Sequence, residues 1–386
     1  METGFLNRLS AELSELQERS NLRVLPLVTH RGREIEVKGR RMLNLSSNDY
    51  LGLSADTVLK KEFLETLTVD SFLPSSSSSR LLTGNFRINE ELEELLASLY
   101  GAESALVFNS GYHMNMGILP AVCYSRTLIL ADKLVHASII DGLRLSTARF
   151  MRYPHNDYET LESLLKKQSS VYETVIIATE SIFSMDGDEA DLKRLVELKK
   201  KYPNVMLYVD EAHATGVRGP GGLGCAEEQD CMGEIDFLVG TFGKALASVG
   251  GYLVCRKVIR DYLVNKMRTL IFTTALPPLN SLWTKFVLER LDTLASRRTH
   301  LIALGNKLSA ALTRENRECS STSHIIPMIT GESHVALAKA EELQQRGFYV
   351  LPVRPPTVPE GTSRIRFSLT ASMTEKEMEQ LIIAIR

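Results

Sequence analysis

Val205-Met206-Leu207-Tyr208-Val209-Asp210-Glu211-Ala212-His213 and, further on, Ile235-Asp236-Phe237-Leu238-Val239-Gly240-Thr241-Phe242-Gly243-Lys244 decide how this chain reads. Each opens on an apolar run of the length of a buried strand. The first run ends on a carboxylate and an imidazole, the second on an amine. Lys244 lies 34 residues after Asp210 and 31 after His213. Open α/β sheets bind ligands beyond the carboxyl ends of their strands, so all three groups fall where a ligand would sit. Outward from this pair, candidate strands at 105–108, 127–131, 174–179, 236–240 and 251–255 alternate with helical patterns. That rhythm predicts an α/β fold, a mostly parallel sheet with helices on both faces.

A chain of 386 residues exceeds one compact core and predicts two domains. The expected division is an N-terminal helix and arm over 1–50, a large domain over 51–285 and a small C-terminal α+β domain over 286–386. Phe5, Leu6, Leu9, Leu13 and Leu16 recur at helical spacing and predict an amphipathic helix over 5–20, with an extended stretch at 34–45. Leu92, Leu95, Leu96 and Leu99 predict a helix over 89–100 that Gly101 stops. Pro277-Pro278 marks a break, and a long helical stretch from about 279 to 315, with only weak interruption, follows. Beyond it the pattern predicts strands near 325–329, 349–353 and 364–369 and helices at 333–345 and 374–385. Ser75-Ser76-Ser77-Ser78-Ser79 reads either as a flexible linker or as a polar loop near a ligand.

Composition excludes several classes of function. A net charge of −2 favours neither nucleic acid nor an anionic membrane as partner. No apolar run reaches the length of a membrane span. Met1-Glu2-Thr3-Gly4-Phe5 lacks the basic and apolar stretches of a signal peptide. Cys123, Cys225, Cys231, Cys255 and Cys319 are odd in number and scattered, so buried thiols in a reducing compartment are expected rather than disulfides or metal ligands. The expected location is the cytoplasm.

Lys244 alone reads equally as a surface lysine. Its setting between a strand and Ala245-Leu246-Ala247-Ser248 leaves room for a flat cofactor. Asp210 follows a buried-looking run, where a carboxylate needs a cation or donor. A pyridinium N–H is such a partner. A lysine able to form a Schiff base and an aspartate to hold a ring nitrogen protonated together point to pyridoxal 5′-phosphate (PLP). His213 then suits the ring hydroxyl, or is a structural histidine. His136, at a predicted helix start, is placed to remain neutral and stack on a ring, or to cap the helix. Ser110-Gly111-Tyr112-His113 joins a strand to a helix N-terminus, an anion cradle for the phosphate, though an ordinary turn is as common. Tyr112 could stack on the ring, and Thr241, Thr273 and Thr274 add hydroxyls for the phosphate. Ser184, near the turn at Asp186-Gly187, is a further donor candidate. Arg364 and Arg366 share one strand face, and one of them would suit a substrate carboxylate. Gly219-Pro220-Gly221-Gly222-Leu223-Gly224 matches G-x-G-x-x-G but follows no strand, so it is read as a surface loop.

Asn109-Ser110-Gly111-Tyr112, Asp132 to Ser138, Phe183 to Asp188, Asp210 to His213 and Thr241 to Lys244 together resemble the α-oxoamine synthases. These are PLP enzymes of the fold-type I aminotransferase superfamily. The likeness runs from Ser47-Asn48-Asp49-Tyr50 to the C-terminus. It implies a seven-stranded, mostly parallel sheet in the large domain and a homodimer with shared active sites. It implies that Lys244 carries PLP and moves a proton, that Asp210 pairs with the pyridine nitrogen, and that His136 stacks on the ring. His213 and Ser184 would contact the ring hydroxyl. Ser110, Gly111, Tyr112 and Thr241 would hold the cofactor, with Thr274 reaching the phosphate across the dimer interface. Arg366, Asn48, Arg23 and Thr357 would serve the substrates. The stretch Arg354-Pro355-Pro356-Thr357-Val358-Pro359 with Arg364-Ile365-Arg366 points to the branch that joins L-alanine to pimeloyl-CoA or a pimeloyl carrier protein. Siblings using glycine or serine, a PLP lyase or aldolase needing no thioester, and a silent scaffold subunit are the rival readings; retention of Lys244 counts against the last. Relatives are usually rich in glycine where this chain has Ser75–Ser79.

Overall fold

The computed structural model describes residues 4–315, 317 and 319–386. Residues 1–3, on which the reading of the N-terminus partly rests, lie outside that range. Its contacts divide the chain into two units: residues 56–184 with 189–299, and residues up to 55 with 185–188 and 300–386.

The larger unit is built on seven strands: β1 Ser104–Phe108, β2 Thr127–Asp132, β3 Arg149–Tyr153, β4 Thr174–Glu180, β5 Val205–Asp210, β6 Phe237–Thr241 and β7 Gly251–Cys255. They lie in the order β1-β7-β6-β5-β4-β2-β3. Only β7 runs antiparallel to its neighbours. The other six therefore point the same way, and their carboxyl ends line one rim. Side chains of both parities are buried along the central strands: Leu128 and Leu130 as fully as Ile129 and Ala131, Val175 and Ile177 as fully as Ala178. Both sheet faces are thus covered, as the continuous apolar runs predict.

Two helices matter for the rim. Helix α1, Gly111–Val122, follows β1, and helix α2, Ala137–Leu145, follows β2. Met114, Ile118 and Leu119 of α1 and Ile139 and Leu143 of α2 join one apolar cluster against the sheet. The two helices approach closely at Gly142, where an added Cβ would stand 2.5 Å from the Asn115 carbonyl oxygen.

β3 is absent from the predicted strands. Its sequence, Arg149-Phe150-Met151-Arg152-Tyr153, lies on the sheet edge with only Tyr153 fully buried, so no apolar run marks it. The weak interruption expected within 279–315 is a full break between two helices: Pro278–Leu288 ends, a 3₁₀ turn spans Leu291–Leu294, and Ala295–Arg314 follows. The serine run is no loose linker. Ser76 is buried and its hydroxyl donates to the Leu276 carbonyl at 2.7 Å, while the Ser78 carbonyl accepts the Ala275 N–H at 2.9 Å.

In the second unit, Glu34–Val37 and Arg40–Asn44 form a hairpin, with Phe348–Tyr349 parallel to the latter. Ile325–Gly331, Ser363–Ser368 and Pro352–Val353 form a separate antiparallel sheet. Helix Gly4–Glu18 buries none of its residues, so Phe5, Leu9, Leu13 and Leu16 stand exposed.

Candidate active site

Lys244 stands three residues past the end of β6. Phe242 anchors its turn: the ring is fully buried and stacks on Tyr252 at 5.3 Å, and its N–H donates to the Gly250 carbonyl. Gly240 lets Tyr252 in, since a Cβ there would come within 2.5 Å of the Tyr252 hydroxyl. On this braced turn the Lys244 amine lies 3.0 Å from His213 Nε2.

Asp210 ends β5 and is 4% exposed. Its Oδ1 accepts the Ala212 N–H at 2.9 Å and its Oδ2 accepts from the Asn115 amide at 2.7 Å. A carboxylate this deeply buried at a strand end suits an incoming ring N–H.

His136 forms the N-cap of α2, with Nδ1 accepting the Ser138 N–H at 3.2 Å. The ring surface is exposed, yet the protein around it is dense. Desolvation is the largest effect lowering its pKa; Lys244 adds to that, and Asp210 and Asp141 oppose it. The imidazole is thereby held neutral. The Tyr112 ring meets His136 edge-on at 6.3 Å, and its hydroxyl donates to Asp141.

Ser110 caps α1 by accepting the His113 N–H at 3.1 Å. The amides of Gly111 and Tyr112 then belong to a first turn that intrahelical carbonyls do not reach. Gly111 faces Thr241, and a Cβ on it would stand 3.4 Å from the threonine side chain. Gly251 is needed as well, because a Cβ there would come within 3.0 Å of Gly111. These glycines keep a small polar cradle open at a helix N-terminus, as an oxyanion requires. The Thr241 hydroxyl already donates to the Gly250 carbonyl at 2.8 Å, so it would have to turn to serve a phosphate. Thr274 is exposed, with its carbonyl accepting from Asn109. Ser184 is buried beyond β4.

The larger unit therefore gathers Lys244, Asp210, His213, His136, Ser184, Ser110, Gly111, Tyr112 and Thr241 on the strand-end rim. This constellation fits PLP: an amine, a buried carboxylate, an imidazole and an anion cradle. The profile of the family described as aminotransferase class I and II matches residues 40–385. A relative from Pasteurella multocida, provisionally named 8-amino-7-oxononanoate synthase, is 54% identical over 97% of both chains. One from Glaesserella parasuis with the same provisional name is 56% identical over 98% of this chain and 99% of its own. This chain belongs to the aminotransferase class I and II family, among the α-oxoamine synthases. Solved α-oxoamine synthases share its fold. A serine palmitoyltransferase from S. paucimobilis, carrying a PLP–myriocin adduct, superposes with a TM-score of 0.88 at 29% identity, covering 98% of this chain and 95% of that one. The 8-amino-7-oxononanoate synthase of Francisella tularensis gives 0.74 at 27% identity over 89% and 97%. The protein is a PLP-dependent acyltransferase. When bound, PLP supplies an electron-accepting ring that makes an amino acid's Cα–H acidic.

In the second unit, Arg366 donates to Asn48 Oδ1 at 3.2 Å, to the Tyr50 hydroxyl at 3.4 Å and to Ser368. Arg364, on the same strand, is committed to Asp186 and to the Thr362 carbonyl. Arg23 donates to the Thr357 hydroxyl at 2.8 Å, and both residues are exposed.

Two residues of this α-oxoamine synthase site escape a reading by motif. Asn115 is 1% exposed on the apolar face of α1. An asparagine in a helix interior is a poor helix former, and that mismatch was the available signal. Glu180 ends β4 opposite Asp210 and is 2% exposed. Its Oε1 has no hydrogen-bond partner among the described residues. Burial first, and the neighbouring Asp210 charge second, push its pKa well above the usual carboxyl range. Both effects favour the neutral form of this carboxyl at the end of β4. The G-x-G-x-x-G match is a closed loop, since Glu227 accepts the Gly221 and Leu223 N–H groups at 2.9 Å and fills it.

Proposed function

We propose that this enzyme is an 8-amino-7-oxononanoate synthase, condensing L-alanine with a pimeloyl thioester in biotin synthesis. The observation that carries this reading is the identity of 54% over 97% of both chains with a relative of that name. In the reaction the alanine Cα loses its proton and forms a C–C bond to the acyl carbon. The C–S bond breaks and the thiol leaves. The resulting β-keto acid loses CO2 and becomes an amino ketone.

This chain's residues divide that work. Lys244 holds the cofactor covalently and moves the Cα proton. Asp210 keeps a positive ring nitrogen paired. His213 and Ser184 orient the ring through its hydroxyl, and His136 covers one face. Ser110, Gly111, Tyr112 and Thr241 take the phosphate, and Thr274 serves the phosphate of a second copy. Arg366, with Asn48, takes the substrate carboxylate as a charge-assisted pair, and Arg23 and Thr357 bind the acyl substrate. Exposed Leu25 and Leu27, at 99% and 93%, support a homodimer that covers them. Among the described residues no helix is long and apolar enough to cross a membrane, in keeping with a cytoplasmic enzyme.

A serine palmitoyltransferase activity is the second reading, favoured by the higher TM-score of that neighbour. Sequence identity of 29% against 54% weighs the other way. The test is thiol release by the PLP-loaded enzyme over a grid of amino acids and acyl thioesters, with products weighed by mass spectrometry. Release with alanine and a pimeloyl thioester is expected. Release with serine and a long-chain acyl-CoA alone would transfer the enzyme to the second reading, and no release with any pair would sink both.

A further inference from the structure

We propose that Asn115 is a positioning residue that joins Asp210 and His136 through one hydrogen-bonded chain and fixes His136 as the Nε2–H tautomer. The proposal rests on the PLP reading of the site and deepens it.

The chain of contacts is closed at every link. The Tyr208 hydroxyl donates to Asn115 Oδ1 at 2.5 Å. Asn115 Nδ2 has two protons, and it donates to Asp210 Oδ2 at 2.7 Å and to Ser138 Oγ at 3.0 Å. A flipped amide would turn Oδ1 toward a carboxylate and Nδ2 toward a hydroxyl donor, so only one orientation satisfies all three neighbours. The Ser138 hydroxyl spends an acceptor site on Asn115 and keeps its own proton for His136 Nδ1, 2.7 Å away. The Ser138 N–H points at the same nitrogen from 3.2 Å. Two donors on Nδ1 leave it no proton. In the neutral ring the proton is then on Nε2.

Tyr208, Asn115, Asp210 and Ser138 are each at most 4% exposed, so no link is readily replaced by water. Gly142 makes the link across helices possible, because a side chain there would crowd the Asn115 backbone. Partnered polar groups fixed in this way hold a first set of side chains to a productive geometry. The tautomer matters because His136 then presents an N–H donor, not a lone pair, on its far side. Asp210 and His136 both touch the cofactor in the proposed function, and one amide orients both.

The wild-type holoenzyme labelled with 15N-histidine gives the first test. Its His136 signals, assigned against His136→Gln, are expected to show a bare Nδ1 and a protonated Nε2. A protonated Nδ1 overturns the proposal with no further variant. Asn115→Leu keeps the volume and removes the links. It is expected to bind PLP with its visible absorption, to lose the single-tautomer pattern, and to lower kcat about tenfold or more while KM for the amino acid moves far less. A folded Asn115→Leu with one tautomer and unchanged kcat refutes the clamp. If that variant does not fold, Ser138→Ala removes the hydroxyl link alone; unchanged ring signals and rate in it refute the clamp equally. Failure of the PLP reading is seen separately, as a wild-type protein that gains no visible absorption with PLP, and the tautomer still judges the clamp in that case.

Discussion

Glu211 follows the strand-end aspartate, is fully buried, and accepts from three donors: the Ser181 hydroxyl at 2.5 Å and the Cys225 and Ala226 N–H groups at 3.0 and 2.7 Å. Those donors favour its charged form. Burial opposes them and wins, pushing its pKa up from 4.5 to about 7, with Asp210 adding a little. The folded state then holds a proton that the unfolded state has lost between those two values. Stability attributable to this group is full below the unfolded pKa, falls as pH rises, and levels off above about pH 7. The rise in pKa corresponds to about 3 kcal/mol across the window. Glu211→Gln cannot titrate. Its amide also sets an N–H against a backbone donor, costing about 1–3 kcal/mol at every pH. The assay is the denaturant midpoint of both proteins from pH 5 to pH 8.5. The wild-type advantage should be largest at the acid end and shrink by about 3 kcal/mol toward the alkaline end. A gap that stays constant with pH, or widens, would refute the linkage argument.

Further outcomes follow from the same geometry. Lys244→Ala should abolish the visible absorption of lysine-bound PLP and lower turnover by roughly 10²- to 10⁴-fold through loss of the proton carrier alone; a variant that keeps both would sink the role given to Lys244. Arg366→Ala should cost about 1.5–3 kcal/mol in kcat/KM for the amino acid, the worth of a charge-assisted contact. Arg364→Ala should instead lower the thermal midpoint, because its partner Asp186 would lose a guanidinium that is 6% exposed; equal effects of the two on kcat/KM would contradict the division of labour. Gly240→Ala should destabilise by about 1–3 kcal/mol by overpacking against Tyr252, read as a lower thermal midpoint.

Sequence legibility followed burial. The central strands announced themselves because both faces are covered and their apolar runs are unbroken, whereas the edge strand β3 carries two arginines and no run. Asp210, His213 and Lys244 were legible because each ends or follows such a run. Asn115 was not, since its partners come from α2 and β5, and helical periodicity says nothing of neighbours so distant in sequence. The interruption of the helical stretch after Pro278 is sharper than the local pattern shows, and a tertiary contact secures it: Arg298 is buried and donates to the Leu291 and Pro220 carbonyls at 2.7 Å. Glu227 likewise explains why a glycine pattern shaped like a nucleotide loop binds its own side chain.

β7 pairs its first residue, Gly251, with Phe108 on one side and Thr241 on the other. It is the last strand of the sheet to be synthesised, and it is inserted between the first strand and the sixth. The two halves of the anion cradle, at Gly111 and Thr241, therefore have no shared scaffold until a ribosome has released the chain past residue 255. Loop closure over such a span is slow. A nascent chain stalled before β7 should therefore be unable to retain PLP.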